Sequence, residues 1–168
     1  PICMPSRAAL MTGLYPPGHG VYANGIPLNR TEYYKIPQDE IEGEVIKQPI
    51  TIADHFAGAG YDTASFGKLH LTPYRSDPAC GFQESYRLWE SGVLDDWTGP
   101  YYGFRHVEMT HGHGEGTCRT GHYARWLEKN HPELRKTVRS GRRLARPIES
   151  RSDLYPSVIP SEMHNSNW

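Results

Sequence analysis

The spacing of apolar positions predicts few regular elements, and most of them lie in the first half of the chain. Ile52, Phe56 and Ala59 recur on one face at helical spacing, with Thr51 before them as a good N-cap and Gly60 after them as a stop. Tyr61 to Phe66 then reads as a short strand ended by Gly67. Helix, glycine turn and strand in that order predict a unit of an α/β parallel sheet. Upstream, Pro5 suits the first turn of a short helix, where its missing N–H costs nothing, and Gly13 supplies the stop after Thr12. Cys3 then stands at the start of that helix. Residues 14–49 are broken by Pro16, Pro17, Gly18, Gly20, Gly25, Pro27, Pro37 and Pro49 and read mostly as loop. A loop of that length inside a compact domain points to function. Residues 72–121 are turn-rich with scattered aromatics from Tyr74 through Trp97, Tyr101, Tyr102 and Phe104, and no element is assigned to them. A further helix is expected around His122–Asn130, followed by a basic segment, a run punctuated by Pro147, Pro156 and Pro160, and the start of another helix at Ser161–Trp168.

Composition narrows the class. With 168 residues, 37% hydrophobic and 22% charged, the chain is long enough for one domain and is no disordered polyelectrolyte. A mean hydropathy of -0.67, with no apolar run near the ~20 residues of a membrane span, predicts no spanning segment. The balance of 18 basic against 19 acidic side chains hides a segregated pattern, because residues 119–151 carry 10 basic and 3 acidic groups. Such a stripe suits phosphate or a sulfated polymer, or simply a solvated helix and loop. The second reading is preferred, and nucleic acid is not expected as a partner, because no aromatics interleave Arg139, Arg142, Arg143 and Arg146. Three cysteines make no disulfide scaffold; pairing of Cys80 with Cys118 and two separate thiols are both open.

The informative stretch is Cys3-Met4-Pro5-Ser6-Arg7-Ala8-Ala9-Leu10-Met11-Thr12-Gly13. It sets a thiol at a helix N-terminus, where the dipole favours an anion, and an arginine one turn on near the same face. A small buried cysteine with a surface arginine is the bland alternative. The full string, however, resembles the signature of the type I sulfatases, Cys-x-Pro-Ser-Arg-x-x-x-x-Thr-Gly, at every fixed position. That resemblance implies post-translational conversion of Cys3 to formylglycine by a formylglycine-generating or equivalent maturation enzyme. It implies that Arg7 supports the hydroxyls and charge of the resulting aldehyde hydrate. Gly67-Lys68-Leu69-His70-Leu71 is similar to the family's Gly-Lys-x-His stretch, and its position after a helix and strand strengthens the match. In extended backbone Lys68 and His70 would point the same way from the C-terminal end of a strand, where open α/β sheets bind ligands. The turn Tyr15-Pro16-Pro17-Gly18-His19-Gly20-Val21, Asn24-Gly25 and Cys80-Gly81-Phe82 also look like family segments, with a looser echo in residues 121–127.

The resemblance implies an α/β fold, part of an alkaline-phosphatase-like three-layer sandwich with a mixed, mostly parallel sheet. It implies hydrolysis of a small-molecule or glycan sulfate ester. One hydroxyl of the hydrate, held on a divalent cation, attacks sulfur as the alcohol leaves, and the sulfate is expelled when the second hydroxyl loses its proton. Arg7 and Lys68 offset charge on the sulfate oxygens, and His70 donates to the sulfate or takes the hydroxyl proton. Calcium is expected ahead of magnesium, with Cys3 as formylglycine one ligand and the others outside residues 1–168. Asp95-Asp96 falls on the wrong side of the motif for the family's metal pair and reads as a solvated turn. Residues 1–168 are therefore expected to be a fragment of the N-terminal catalytic domain, inactive by itself, with residues 72–160 a loop-rich insertion or substrate rim.

Three other readings are weighed beside this one. His106, Glu108, His111, His113, Glu115, Cys118 and His122 invite a zinc or copper site, but the glycines among them and a spacing unlike any structural zinc pattern favour a rim loop in which His111 or His113 lines the entrance. A phosphate or phosphonate ester hydrolase of the same superfamily would use the same groups. A non-catalytic anion- or carbohydrate-binding module would keep the fold without the chemistry.

Overall fold

The computed structural model describes residues 2–30, 48–113 and 119–139, with side chains as far as residue 136. The chain divides into two units, Pro1–Ser65 with Leu69–Val107, and Phe66–Lys68 with Glu108–Trp168. The architecture is mixed α/β, with a small two-stranded sheet in which β1 (Ala64–Gly67) lies beside β2 (His106–Met109). In the first unit the N–H groups of Arg105 and His106 donate to the Thr63 carbonyl, and in the second the Thr110 N–H donates to Gly67. Partners that rise together along both strands make the pair parallel. The strand expected at Tyr61–Phe66 thus starts and ends later. Asp62 and Tyr61 are exposed, and Thr63 is the first residue to find a partner across the sheet.

In the first unit, α1 (Cys3–Thr12) buries Met4, Ala8 and Met11, the i, i+4, i+7 stripe of one face. It ends as expected at Gly13, whose φ of 70° lets its N–H reach back to Ala9. A single turn, α2 (Pro16–His19), follows within the stretch expected to be loop; residues 31–47 of that stretch lie outside the described residues. The helix α3 (Ile52–Gly58) opens with a capping box, Thr51 accepting from the Asp54 N–H while the Asp54 carboxylate accepts from Thr51. Its buried residue is Ala53, and Ile52 and Phe56, two of the three apolar residues that share one face, stay about half exposed. Phe56 instead meets Tyr61 edge to face at 5.5 Å.

Residues 72–113, where no element was assigned, hold a 3-10 turn (Pro78–Cys80), α4 (Tyr86–Glu90) and β2. Their aromatics form much of the core of the first unit, with Trp89, Tyr101 and Tyr102 fully buried. Tyr101 and Phe104 exchange backbone hydrogen bonds around a tight turn. That turn seats on the start of α3, where the Thr51 hydroxyl donates to the Tyr102 carbonyl at 2.7 Å. Gly103 is obligatory there, because its φ is +86° and a Cβ would stand 2.3 Å from the Asp54 nitrogen. Asp95 and Asp96 are exposed in the turn after α4, as expected.

In the second unit, α5 (His122–Asn130) occupies the expected residues and is followed by α6 (Pro132–Arg139), for which no helix was expected. Tyr123 and Leu127 are buried with Trp126 and Leu134 packed against them. One member of the basic stripe departs from a solvated face: Arg135 is buried and donates to the Arg119 carbonyl at 2.7 Å. The residues of the stripe beyond 139, and Ser161–Trp168, lie outside the described residues.

Candidate active site

Cys3 is the first residue of α1 and Arg7 is one turn on, both half-buried. The helix start has no side-chain cap from Ile2. A residue 20 positions away acts instead: the Asn24 side-chain oxygen accepts the Met4 N–H at 3.0 Å, and the Gly25 N–H approaches the Met4 sulfur at 3.2 Å. Pro5 has no N–H to satisfy, so Met4 and Pro5 leave no first-turn donor of their own unanswered. The preceding loop is pinned by His19, which is buried and accepts the Val21 N–H on Nδ1. Burial holds its pKa below the ordinary value, against a backbone hydrogen bond of His19's own that raises it, and with Nδ1 accepting from Val21 the neutral ring carries its proton on Nε2.

The same loop reaches His70. The Leu28 N–H donates to the Leu71 carbonyl at 2.8 Å, and the Tyr102 hydroxyl donates to the Leu28 carbonyl. A continuous path of hydrogen bonds and short backbone therefore runs in the first unit from the start of α1 through Asn24 and Leu28 to Leu71. His70 itself has a φ of 55°, so the extended-backbone argument for Lys68 and His70 does not hold. Its ring is buried and stacks on Tyr74 at 3.8 Å with planes 10° apart.

What holds this segment is Glu84, which the sequence reading missed. Its carboxylate is fully buried. Oε1 accepts the His70 N–H, and Oε2 accepts the N–H groups of Leu71 at 2.6 Å and Thr72 at 2.8 Å. The Tyr101 hydroxyl donates to Oε2 at 3.1 Å. Burial pushes the Glu84 carboxyl above its ordinary range, against the pull of the three backbone donors and Tyr101. Burial and the Glu84 charge in turn push the Tyr101 phenol well above its ordinary value, keeping it a donor. Donors alone converge on both oxygens, the pattern an ionised carboxylate requires. The nearest signal in the sequence is a lone acidic residue after Gly81-Phe82, with no periodicity to mark it as buried.

Lys68 belongs to the second unit, where its Nζ donates to His113 Nε2 at 3.0 Å. The other histidines of that region go separate ways. His111 is buried, with Nδ1 3.1 Å from the Thr120 hydroxyl, so of the two expected rim histidines only His113 is exposed. His122 Nδ1 accepts the Met109 N–H at 2.8 Å. Glu115 and Cys118 lie outside the described residues, and Cys80 is a free thiol. Among the described residues no three His, Cys, Asp or Glu side chains gather as a metal site. They do not furnish a calcium or magnesium centre, and no chemical step is routed through one. An open depression lined by Arg30, Gln48, Ile50, Asp54, His55 and Gly58 contains none of Cys3, Arg7, Lys68 and His70. No described helix is long and apolar enough to cross a membrane.

With a parallel α/β unit and this motif helix in place, the comparison with known proteins is direct: the chain belongs to the sulfatase family, whose profile matches residues 1–132. It is 41% identical over 71 residues to the steryl-sulfatase of Mus musculus, covering 42% of this chain and 10% of that protein. It is 39% identical over 79 residues to an endo-4-O-sulfatase of Bacteroides thetaiotaomicron, covering 46% and 13%. An arylsulfatase of Clostridium perfringens is 33% identical over 84 residues, covering 49% and 13%. The matched stretch is thus only 10% to 13% of the length of these relatives.

Proposed function

We propose that this chain contributes the nucleophile and part of the sulfate-binding groups for hydrolysis of sulfate monoesters, the nucleophile being a formylglycine formed from Cys3. The observation that carries the reading is the Cys3–Gly13 signature folded as one helix, with Cys3 first, Arg7 one turn on and Asn24 closing the helix start. Converted to formylglycine, Cys3 supplies an aldehyde hydrate whose hydroxyl attacks sulfur. The first turn of α1 favours negative charge at that position, and Arg7 adds a fixed cation on the same side of the helix. Lys68 is the second cation for the sulfate oxygens. His70, oriented by the ring of Tyr74, exchanges a proton with the sulfate or the attacking hydroxyl. Of the region expected to be a loop-rich insertion or substrate rim, the segment at His113 is assigned to the rim, supported by its contact with Lys68. The calcium or magnesium ion expected from the family takes its remaining ligands from residues other than those described.

The test is chemical. Expressed with a maturation enzyme, the chain is expected to react with an aldehyde-specific probe at Cys3 and to show the matching change in intact mass, both abolished in Cys3→Ala. An unmodified thiol from a host that matures a control sulfatase would sink the reading in favour of a non-catalytic binding module.

A further inference from the structure

Buried carboxylates are costly unless their oxygens are fully engaged, and Glu84 spends its oxygens on the backbone of three consecutive residues, one of which is His70. Nothing in the proposed chemistry uses Glu84 directly. It is fully buried, it has no guanidinium or ammonium partner in its set of contacts, and its own neighbours Phe82 and Ser85 are buried with it. The segment it grips is one that would not hold its shape unaided. His70 is a non-glycine residue at φ 55°, a strained conformation for a residue with a side chain that persists only where the surroundings impose it. The grip is reinforced on both sides: Thr72 and Tyr101 exchange a hydroxyl hydrogen bond at 3.0 Å beside Oε2, and the His70 ring lies flat on Tyr74, which itself stacks on Tyr86 at 5.2 Å.

We propose that Glu84 is a positioning residue for the reaction: by accepting the N–H groups of His70, Leu71 and Thr72 it fixes the left-handed turn at His70 and so the direction of the imidazole. The proposal rests on the reading of His70 as a residue of the sulfatase site. A negative charge is required because three N–H groups and a phenol point at the same two oxygens. A carboxamide would turn an NH2 group against one of them. Glu84 acts through His70 and touches no substrate.

The experiment compares wild type, Glu84→Gln and Glu84→Asp, each also in a His70→Ala background, in the full chain produced with matured Cys3. Two readouts are taken: the amide proton resonances of residues 70–72, and kcat and KM on an aryl sulfate with aldehyde content measured in each sample. Expected for Glu84→Gln are the loss of the downfield amide positions at all three residues, an unchanged aldehyde content, a kcat lower by about 10²-fold as for a misplaced catalytic group, and little change in KM. In the His70→Ala background the same substitution is expected to cost nothing more, since both changes act through one side chain. Glu84→Asp keeps the charge and is expected to lose less. A folded Glu84→Gln with wild-type amide positions and turnover overturns the proposal, as does a loss that simply adds to that of His70→Ala. Should Glu84→Gln fail to fold, Glu84→Asp decides: unchanged amide positions and kcat overturn it. Where matured wild type shows no turnover, as expected of residues 1–168 alone, the amide positions decide: their loss in Glu84→Gln supports the grip and their persistence overturns it, while the aldehyde content tests the sulfatase reading separately.

Discussion

The start of α1 and the segment Leu69–Tyr74 both carry residues proposed for the site, yet the fold holds them by opposite means. At α1, helical register sets the arrangement: Cys3 and Arg7 face the same way because four residues make about one turn, and Met4, Ala8 and Met11 anchor the neighbouring face. One contact from outside, Asn24, completes the helix start. At Leu69–Tyr74 no periodicity helps. His70 is held by Glu84, 14 residues on, and by the Tyr74 ring, while Tyr101 steadies the carboxylate from further still. The first arrangement tolerates change at a distance. The second depends on residues brought in from 14 and more positions along the chain.

Substitutions can break this contrast in descending order of effect. The largest is expected for Gly103→Ala, far from Cys3 in sequence, which forces a Cβ into the backbone at Ala53 and Asp54. A loss of about 4 kcal/mol or more, a size confined to collisions and strain of this kind, should appear in urea unfolding. A fully stable variant would show that the 101–104 turn does not seat on α3 as described. Next is Glu84→Ala, expected to cost about 1–3 kcal/mol in total, as the buried N–H groups of residues 70–72 lose their acceptor and water enters in its place. Hydrogen exchange should accelerate at residues 70–72 while the α1 amides keep their protection. Equal acceleration in both places would erase the distinction.

Asp54→Asn ranks third, at about 1–2 kcal/mol, from the loss of charged hydrogen bonds to Arg30 and Thr51. Burial by itself would raise the Asp54 carboxyl, but Arg30 and Thr51 together outweigh it and hold it below the ordinary range. Its contribution is therefore complete above the unfolded carboxylate pKa near ~4 and is lost as pH falls through the lower folded value. The difference between wild type and variant should shrink below about pH 4; a constant difference would argue against an ionised Asp54. The smallest effect is expected for Asn24→Ala, about 1 kcal/mol for a lost helix cap, seen as faster exchange at Met4 with the rest of α1 intact.

The same contrast explains what could be read from the sequence. Local rules found α1, α3 and α5, because caps, glycine stops and helical spacing lie within a few residues of one another. The Cys3 and Arg7 positions were legible for that reason. The limits of β1 were shifted by a few residues because Tyr61, Thr63 and Phe66 favour extended backbone, whereas its ends follow from where the partner strand begins. The exposure of Ile52 and Phe56 on α3 was not legible because composition cannot say which neighbour arrives; the 101–104 turn covers Ala53 and not Phe56. Residues 72–113 were opaque because their elements are short and their aromatics pack by long-range contact. Glu84 was invisible because a single acidic residue in a turn-rich stretch ordinarily lies in water.

Because Glu84 grips main-chain donors, it sets a selective filter on residues 70–72 that rejects the loss of an N–H whatever the side chain. In a saturation library across these three codons, proline should be purged at every position. The replacements that survive should be apolar and of similar volume at buried Leu71, and at Thr72 those that keep the hydroxyl beside Tyr101. A lineage could thus retune the chemistry of this loop while the anchor beneath it stays the same.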